Sequence, residues 1–180
     1  KILAYHDRSD GGLVTTLSEM SFASRLGLQV NLDLIMKDKK QLLECLFNEE
    51  LGVVIQVHNK DLDSVYEILS KTGLKKHIYN IGTLSKNQTL SFDYNNHRVL
   101  SLPLKDLLEN WYQVGFEIQK IRDNPITAKD EYKADTNLNN GGLSPSINFI
   151  VPKKIDIKSS RPRVAILREQ GVNGQNEMAA

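Results

Sequence analysis

The hydrophobic and polar positions of this chain follow two periods, and each period predicts one kind of element. Between residues 28 and 35, apolar residues alternate with polar ones, as in a half-buried strand. From residue 104 to 121, apolar residues return every three to four positions behind Pro103, which predicts a long helix. The same patterns predict further strands at residues 1–7, 52–57, 78–84, 89–94 and 98–102, and helices after Gly11-Gly12, at about 38–48 and at 61–71.

The order of these elements indicates one mixed domain. Strands and helices do not alternate strictly, and the last two strands meet at Asn95-Asn96, a hairpin turn because Asn tolerates positive φ. We therefore predict an α+β or mixed α/β fold over residues 1–123, with helices packed on one mixed sheet. Trp111 lies on the apolar stripe of the long helix and is expected in the core.

The pattern weakens after residue 123. Residues 124–160 contain several prolines and glycines, which predicts a linker anchored to a neighbouring domain by scattered apolar side chains. A compact strand at 164–167, a glycine-containing loop and a helix from residue 175 predict the start of another, truncated domain over residues 161–180. Because the chain also starts inside an apolar run without a methionine, we expect a piece of a longer polypeptide.

Composition argues against several classes of protein. The 23 basic and 22 acidic residues give a net charge of +1, without the basic patch typical of nucleic-acid binding. The sequence contains no run of about 18 apolar residues that would span a membrane. The lone cysteine, Cys45, lies among apolar neighbours with no His or Cys at metal-ligand spacing, so we expect it in the core of a protein from a reducing compartment. These features predict a cytoplasmic protein that binds neither nucleic acid nor membrane.

One segment groups residues that suit nucleotide chemistry. It runs from His6 to Gly12 (HDRSDGG), at the end of the first strand and the start of the first helix. The N–H groups of a glycine-rich helix N-terminus favour a phosphate. Asp7 is placed to be one of the carboxylates that hold magnesium beside phosphate oxygens, and Ser9 could donate its hydroxyl to the nucleotide.

A purely structural interpretation of this segment stays open, since Asp10 lies where an N-cap belongs and Gly11-Gly12 suits a tight turn. Glu49-Glu50 is expected to cap a turn before the next strand. No Ser/His/Asp triad can be argued, so no catalytic residue is assigned within the chain. The three remaining histidines lie in separate elements and are expected at the surface: His58, His77 and His97.

Three segments, in this order, resemble the phosphoribosylformylglycinamidine synthases of the long, single-chain type. They are AYHDRSDGGL (4–13), FNEELGVVIQV (47–57) and RPRVAILREQGVNGQNEMAA (161–180), and IRDNP (121–125) fits as well. The resemblance implies that residues 1–123 are a C-terminal-type ATP-binding subdomain of the synthetase region, in a superfamily that includes aminoimidazole ribonucleotide synthetase. It also implies that residues 161–180 open a class I glutaminase domain whose nucleophile lies beyond this chain.

The activity implied by the resemblance joins glutamine-derived ammonia to formylglycinamide ribonucleotide with ATP, the fourth step of purine biosynthesis. Asp7 would then be a magnesium ligand and Ser9 a contact of ATP or ADP, while His6, Asp10, Gly11 and Gly12 would support the loop. The implied partners are formylglycinamide ribonucleotide, glutamine, ATP and the remaining domains of the same polypeptide. The chain alone is expected to be inactive.

Two alternatives stay open beside this activity. The module could be an auxiliary scaffold whose tightly held nucleotide rigidifies the enzyme without reacting. It could also be a subdomain of a related superfamily ligase or kinase, although such a relative would not continue into a glutaminase.

Overall fold

The computed structural model describes residues 1–150, 163–171 and 173–179. They fall into two compact units, Lys1–Gly142 and Leu143–Ala180. The strands of the first unit are β1 Ile2–Asp7, β2 Gly27–Asn31, β3 Val53–Val57, β4 Gly82–Ser85, β5 Thr89–Tyr94 and β6 His97–Pro103. Its helices are α1 Gly12–Ser24, α2 Leu42–Phe47, α3 Leu62–Lys71, α4 Leu104–Arg122 and α5 Pro125–Asp135.

Four strands form a mixed sheet in the order β4-β2-β5-β6. The pairs β2–β4 and β5–β6 are antiparallel, whereas β2 runs parallel to β5, with Leu28 opposite Leu90. The hairpin between β5 and β6 turns at Asn95 (φ 50°) and Asn96 (φ 61°), as the sequence predicts. This sheet confirms the predicted mixed α/β class.

The core lies where α1, α2 and the start of α4 meet the four-stranded sheet. Leu32, Leu46, Leu90, Phe92 and Leu104 are fully buried there. Each removes its apolar surface from water, at about 25 cal/mol per Å² of buried area, and this burial is the main stabilising term of the unit.

The remaining two strands, β1 and β3, form a separate antiparallel sheet with Asp7 opposite Val53 and Tyr5 opposite Ile55. The prediction of one sheet was therefore wrong in this respect. Neither strand borders the four-stranded sheet, and every residue of both strands is exposed or half-buried. This two-stranded sheet contains no buried residue, and its strand β1 ends at Asp7, shortly before the N-terminus of α1.

Part of the predicted linker is a helix. Within the stretch expected to lack regular structure, Asn124 caps α5 by accepting a hydrogen bond from the N–H of Ile126 (2.9 Å), and Pro125 occupies the first turn, where its missing N–H costs nothing. The Phe116 ring stacks on Tyr132 at a centroid distance of 4.5 Å, which packs α5 against α4. The Asn-Pro pair is therefore the start of a helix within the predicted linker.

The long helix does not bury all of its apolar stripe. Leu104 and Leu108 lie in the core, but Trp111 is 54% exposed and Ile121 is 86% exposed. The expectation that Trp111 is a core residue was wrong, because the buried residues of α4 lie in its first turns and the helix also packs on α1 and α5. Trp111 instead makes an edge contact with Phe22 on α1, at a centroid distance of 6.0 Å.

The second unit contains one short helix among its described residues, α6 Gln175–Ala179, where the sequence predicts a helix. The strand expected at residues 164–167 is not present: no described residue pairs with this segment, and a strand needs a neighbour for its N–H and C=O groups. The predicted linker and glutaminase start lie partly outside the described residues, at 151–162, 172 and 180. Across the described part of the chain, no helix is long and apolar enough to cross a membrane.

Candidate functional site

A tight turn with two left-handed glycines joins β1 to α1. The N–H of Gly12 donates to the carbonyl of Ser9 (2.9 Å), and Gly11 and Gly12 have φ of 78° and 70°. These values favour glycine, which carries no Cβ to clash in the left-handed region. Gly12 has a second reason to be glycine, because a Cβ there would lie 2.6 Å from the backbone carbonyl carbon of Phe47. The turn therefore packs directly on the end of α2.

At the N-terminus of α1, the acid that contacts the N-cap residue is not the one predicted. Gly11, not Asp10, is the N-cap residue, and no side chain caps the helix. Asp10 is exposed and its carboxylate makes no hydrogen bond within the described residues, so its predicted N-cap role was wrong. Glu49, which follows α2, accepts the N–H of Gly11 at 2.9 Å instead. A phosphate seated on this N–H would have to displace the Glu49 carboxylate.

Asp7 ends β1 with its carboxylate facing solvent. The side chain is 68% exposed, and its Oδ1 lies 3.9 Å from His6 Nδ1. The next peptide is held by the N–H of Arg8, which donates to the carbonyl of Gly52 (2.8 Å). Ser9 is also exposed, and its hydroxyl makes no hydrogen bond within the described part of the chain. The two residues predicted to meet a magnesium nucleotide are thus both available to a ligand.

His6 is held from both ring nitrogens. Nε2 lies 2.6 Å from Glu19 Oε2 and Nδ1 lies 2.7 Å from the backbone carbonyl of Asp7. Both partners are acceptors, so both nitrogens donate when the ring is protonated. Partial burial opposes the charged form, but the hydrogen bonds to Glu19 and Asp7 outweigh it and raise the pKa of His6 above its ordinary value. The His6 ring is therefore held in place beside the Asp7 carboxylate, and its raised pKa favours the positively charged form.

Arg8 ties the turn to α2. Its side chain is only 17% exposed, Nη2 donates to the carbonyl of Cys45 (3.2 Å), and Nη1 lies 3.8 Å from Glu50. Its buried Nε has no hydrogen-bond partner among the described residues. Cys45 packs against the core as predicted, and its burial raises the pKa of the thiol, with Arg8 opposing and Glu50 adding to the shift. This thiol is a structural group rather than an activated nucleophile.

An open cleft of about 2060 Å³ borders these residues. It is lined from β1, β2, β3, β4 and α3, and both Asp7 and Arg8 belong to its wall. The volume exceeds the roughly 300–1,000 Å³ of typical small-molecule pockets. The exposed Asp7 carboxylate therefore lies at the edge of an open cleft rather than of an enclosed pocket.

The donor chemistry fits magnesium held jointly with phosphates. Among the described residues no group of three or more His, Cys, Asp or Glu side chains could hold a metal ion alone. Magnesium commonly keeps several waters and uses only one or two carboxylates beside phosphate oxygens. An exposed oxygen donor, Asp7, at the edge of a cleft meets that requirement.

Sequence reasoning missed three members of this region: Glu19, Glu49 and Trp111. No local pattern pointed to Glu19, which contacts His6 from 13 positions away along the chain. Nothing local points to Glu49, which contacts the turn from 38 positions away along the chain. The other three histidines are exposed, as predicted: His58, His77 and His97.

Comparison with known proteins shows the family to which the chain belongs. Residues 1–95 match the family described as AIR synthase related protein, C-terminal domain. The chain is 42% identical over 186 residues to phosphoribosylformylglycinamidine synthase of Saccharomyces cerevisiae, covering 99% of this chain and 14% of that protein. It is also 42% identical over 183 residues to the enzyme of the same name from Schizosaccharomyces pombe, again covering 99% and 14%. Among solved structures, T. maritima PurL complexed with ATP superposes with a TM-score of 0.49 and 18% identity, covering 58% of this chain and 18% of that one.

The fold and the turn define a mixed α/β domain with a glycine-rich helix start beside an exposed carboxylate. The chain belongs to the AIR synthase related family and contains its C-terminal domain. It spans about one seventh of the length of the curated relatives it matches.

Proposed function

We propose that this chain is part of a phosphoribosylformylglycinamidine synthase, a ligase that uses ATP and glutamine to convert formylglycinamide ribonucleotide to formylglycinamidine ribonucleotide. The observation that carries the proposal is the 42% identity to two such enzymes along 99% of the chain. The small share of the relatives that is covered supports an active enzyme assembled with further domains of one polypeptide. The lone thiol and the absence of a basic patch support a cytoplasmic protein with small-molecule substrates.

We assign the domains by the same reasoning. Residues 1–123 are the synthetase-type subdomain, residues 124–160 connect it onward and begin with α5, and residues 161–180 open the glutaminase domain. The glutaminase nucleophile then lies outside this chain. The isolated 180 residues have neither glutaminase nor amidination activity, and turnover of either kind by the chain alone would contradict this domain assignment.

Within residues 1–123, we propose that Asp7 is a magnesium ligand at an ATP or ADP site and that Ser9 contacts the nucleotide. Both side chains are exposed, and Asp7 also lines the cleft, which supports this role. Bound magnesium supplies positive charge that offsets phosphate charge during phosphoryl transfer. His6, Gly11 and Gly12 hold the loop in place, whereas Asp10, whose carboxylate makes no hydrogen bond within the described residues, has the weakest claim to a supporting role.

The test compares Asp7→Asn with the wild type in the full-length enzyme that carries this chain. Asp7→Asn removes the charge but keeps the shape, so we expect weaker magnesium-ATP binding by more than about tenfold and a matching loss of glutamine-dependent turnover. The matched control is Asp63→Asn on α3, an exposed carboxylate away from the turn, which should behave as the wild type.

The same experiment separates a reacting site from a scaffold site. Lost nucleotide and a lower melting temperature, with turnover retained by the folded fraction, would assign the site to a structural nucleotide. Unchanged binding, turnover and melting temperature would remove Asp7 from any nucleotide site.

A further inference from the structure

The carboxylate of Glu19 joins three elements of the first unit. Its Oε2 contacts His6 Nε2 on β1 at 2.6 Å, and its Oε1 accepts the indole N–H of Trp111 on α4 at 3.1 Å. Glu19 itself lies on α1. Both carboxylate oxygens therefore make a hydrogen bond, one to β1, which carries Asp7, and one to α4.

Trp111 is a firm anchor for this carboxylate despite its exposure. The indole makes edge contacts with Phe22, at a centroid distance of 6.0 Å, and with Tyr112, at 5.1 Å. Such aromatic pairs contribute about 0.5–1.5 kcal/mol beyond buried area. The indole N–H thus holds Glu19 in one orientation, and Glu19 holds the His6 ring.

The His6 ring passes this constraint to the Asp7 peptide. Its Nδ1 lies 2.7 Å from the Asp7 carbonyl, and the hydroxyl of Thr16 approaches the same carbonyl at 3.4 Å. Fixing that peptide plane fixes the direction in which the Asp7 side chain leaves the backbone. The Asp7 carboxylate itself is exposed to solvent, so the direction in which it points depends on these backbone contacts.

We infer that Glu19 is a positioning residue for the magnesium-nucleotide site, acting through His6 on Asp7. This inference rests on the proposed function and deepens it. Glu19 touches neither metal nor nucleotide; it orients the group that does. Partners that orient a metal ligand in this way typically contribute 10–100-fold in metal affinity.

The experiment measures magnesium-ATP binding, the KM for ATP and for glutamine, and the melting temperature of Glu19→Ala and Glu19→Gln in the full-length enzyme. Glu19→Ala removes both hydrogen bonds and should weaken magnesium-ATP binding about tenfold, raise the KM for ATP and leave the KM for glutamine unchanged. Glu19→Gln should stay close to the wild type, because its amide can donate to Nε2 of a neutral His6 while its oxygen still accepts from Trp111. Glu109→Ala is the matched control, since Glu109 lies on α4 in an exposed pair with Lys105.

The outcomes separate this inference from the proposed function. If Asp7→Asn binds magnesium-ATP normally, the proposed site is wrong. If Asp7→Asn is impaired and Glu19→Ala binds like the wild type, only the positioning role of Glu19 fails. A lower melting temperature of Glu19→Ala with unchanged binding, or a Glu19→Gln variant as impaired as Glu19→Ala, would also overturn it.

Trp111→Phe decides the question if Glu19→Ala does not fold. This substitution keeps an aromatic ring near Phe22 but removes the N–H donor together with part of the indole. We expect weaker magnesium-ATP binding, in the direction of Glu19→Ala but smaller. Binding equal to the wild type in folded Trp111→Phe would contradict the proposed coupling.

Discussion

The two sheets of the first unit differ in what they bury. The four-stranded sheet contributes Val30, Leu90 and Phe92 to the core, each at most 2% exposed. The two-stranded sheet has exposed or half-buried residues throughout, including Tyr5 at 61% and Val53 at 56% exposed. Yet the two-stranded sheet carries Asp7, the proposed magnesium ligand.

This difference locates stability and site geometry in separate parts of the unit. Hydrophobic burial stabilises the four-stranded sheet, whereas specific polar contacts and close backbone packing orient the end of β1. His6, Arg8 and Gly12 all make such contacts. Substitutions in the core should therefore mainly lower the stability of the unit. Substitutions in the turn should instead displace the Asp7 side chain, at a smaller cost in stability.

The largest effect is expected from Phe92→Ala on β5. Phe92 is fully buried, and removing such a ring costs about 3–5 kcal/mol of unfolding free energy. Val53→Ala on β3 should cost about 0.5 kcal/mol or less, because the side chain is mostly exposed. Urea unfolding of the two variants measures the contrast, and equal losses would show that the two-stranded sheet stabilises the unit as much as the four-stranded one.

An intermediate effect is expected from Gly12→Ala at the turn. The φ of 70° strains any other residue by about 1–3 kcal/mol, and the new Cβ would also meet the backbone of Phe47 and Leu46. Gly73→Ala is the matched control, since Gly73 has φ of 84° with nothing within 4 Å of its Cβ position. We expect Gly12→Ala to lower the melting temperature more than Gly73→Ala. Equal effects would mean that the turn yields to the extra atom without cost.

The smallest effect is a pH dependence at the polar face of the four-stranded sheet. Hydrogen bonds from the Arg98 guanidinium, with a further one from Gln29, hold the pKa of Asp93 below its ordinary value against partial burial. The stabilisation is present above the pKa of the unfolded state and is lost as pH falls through the lowered pKa of the folded state. Asp93→Asn should cost about 1 kcal/mol or less near neutral pH, and progressively less as the pH falls through the lowered pKa of the folded state. A stability difference that does not change with pH would contradict the pairing.

The local patterns predicted those elements whose signal lies within a few residues. The β5–β6 hairpin follows from Asn95-Asn96, and α4 follows from Pro103 and the spacing after it. The shift of β4 to Gly82–Ser85, later than the predicted 78–84, reflects its pairing with β2 rather than its own pattern. Which strands share a sheet was not predictable, because it depends on pairings across dozens of residues.

The candidate site, too, could be predicted only in part from the sequence. The glycine-rich turn and the exposed Asp7 follow from one short segment and from the family resemblance. Glu49 replaces Asp10 at the helix start because α2 brings its carboxylate to the N–H of Gly11. Glu19 and Trp111 meet only after α4 has packed on α1. Contacts that tertiary packing creates leave no periodic pattern in the sequence, so these partners could not be predicted from the sequence.

The parallel pairing of β2 with β5 also has a consequence for synthesis of the chain. Leu28 pairs with Leu90, about 60 residues later, and β4 reaches β2 only at Gly82. At roughly 5–20 residues per second on a ribosome, β2 waits several seconds for its neighbours with Val30 still uncovered. This unit therefore has a period during translation in which the strands that flank β2 in the finished sheet have not yet been made.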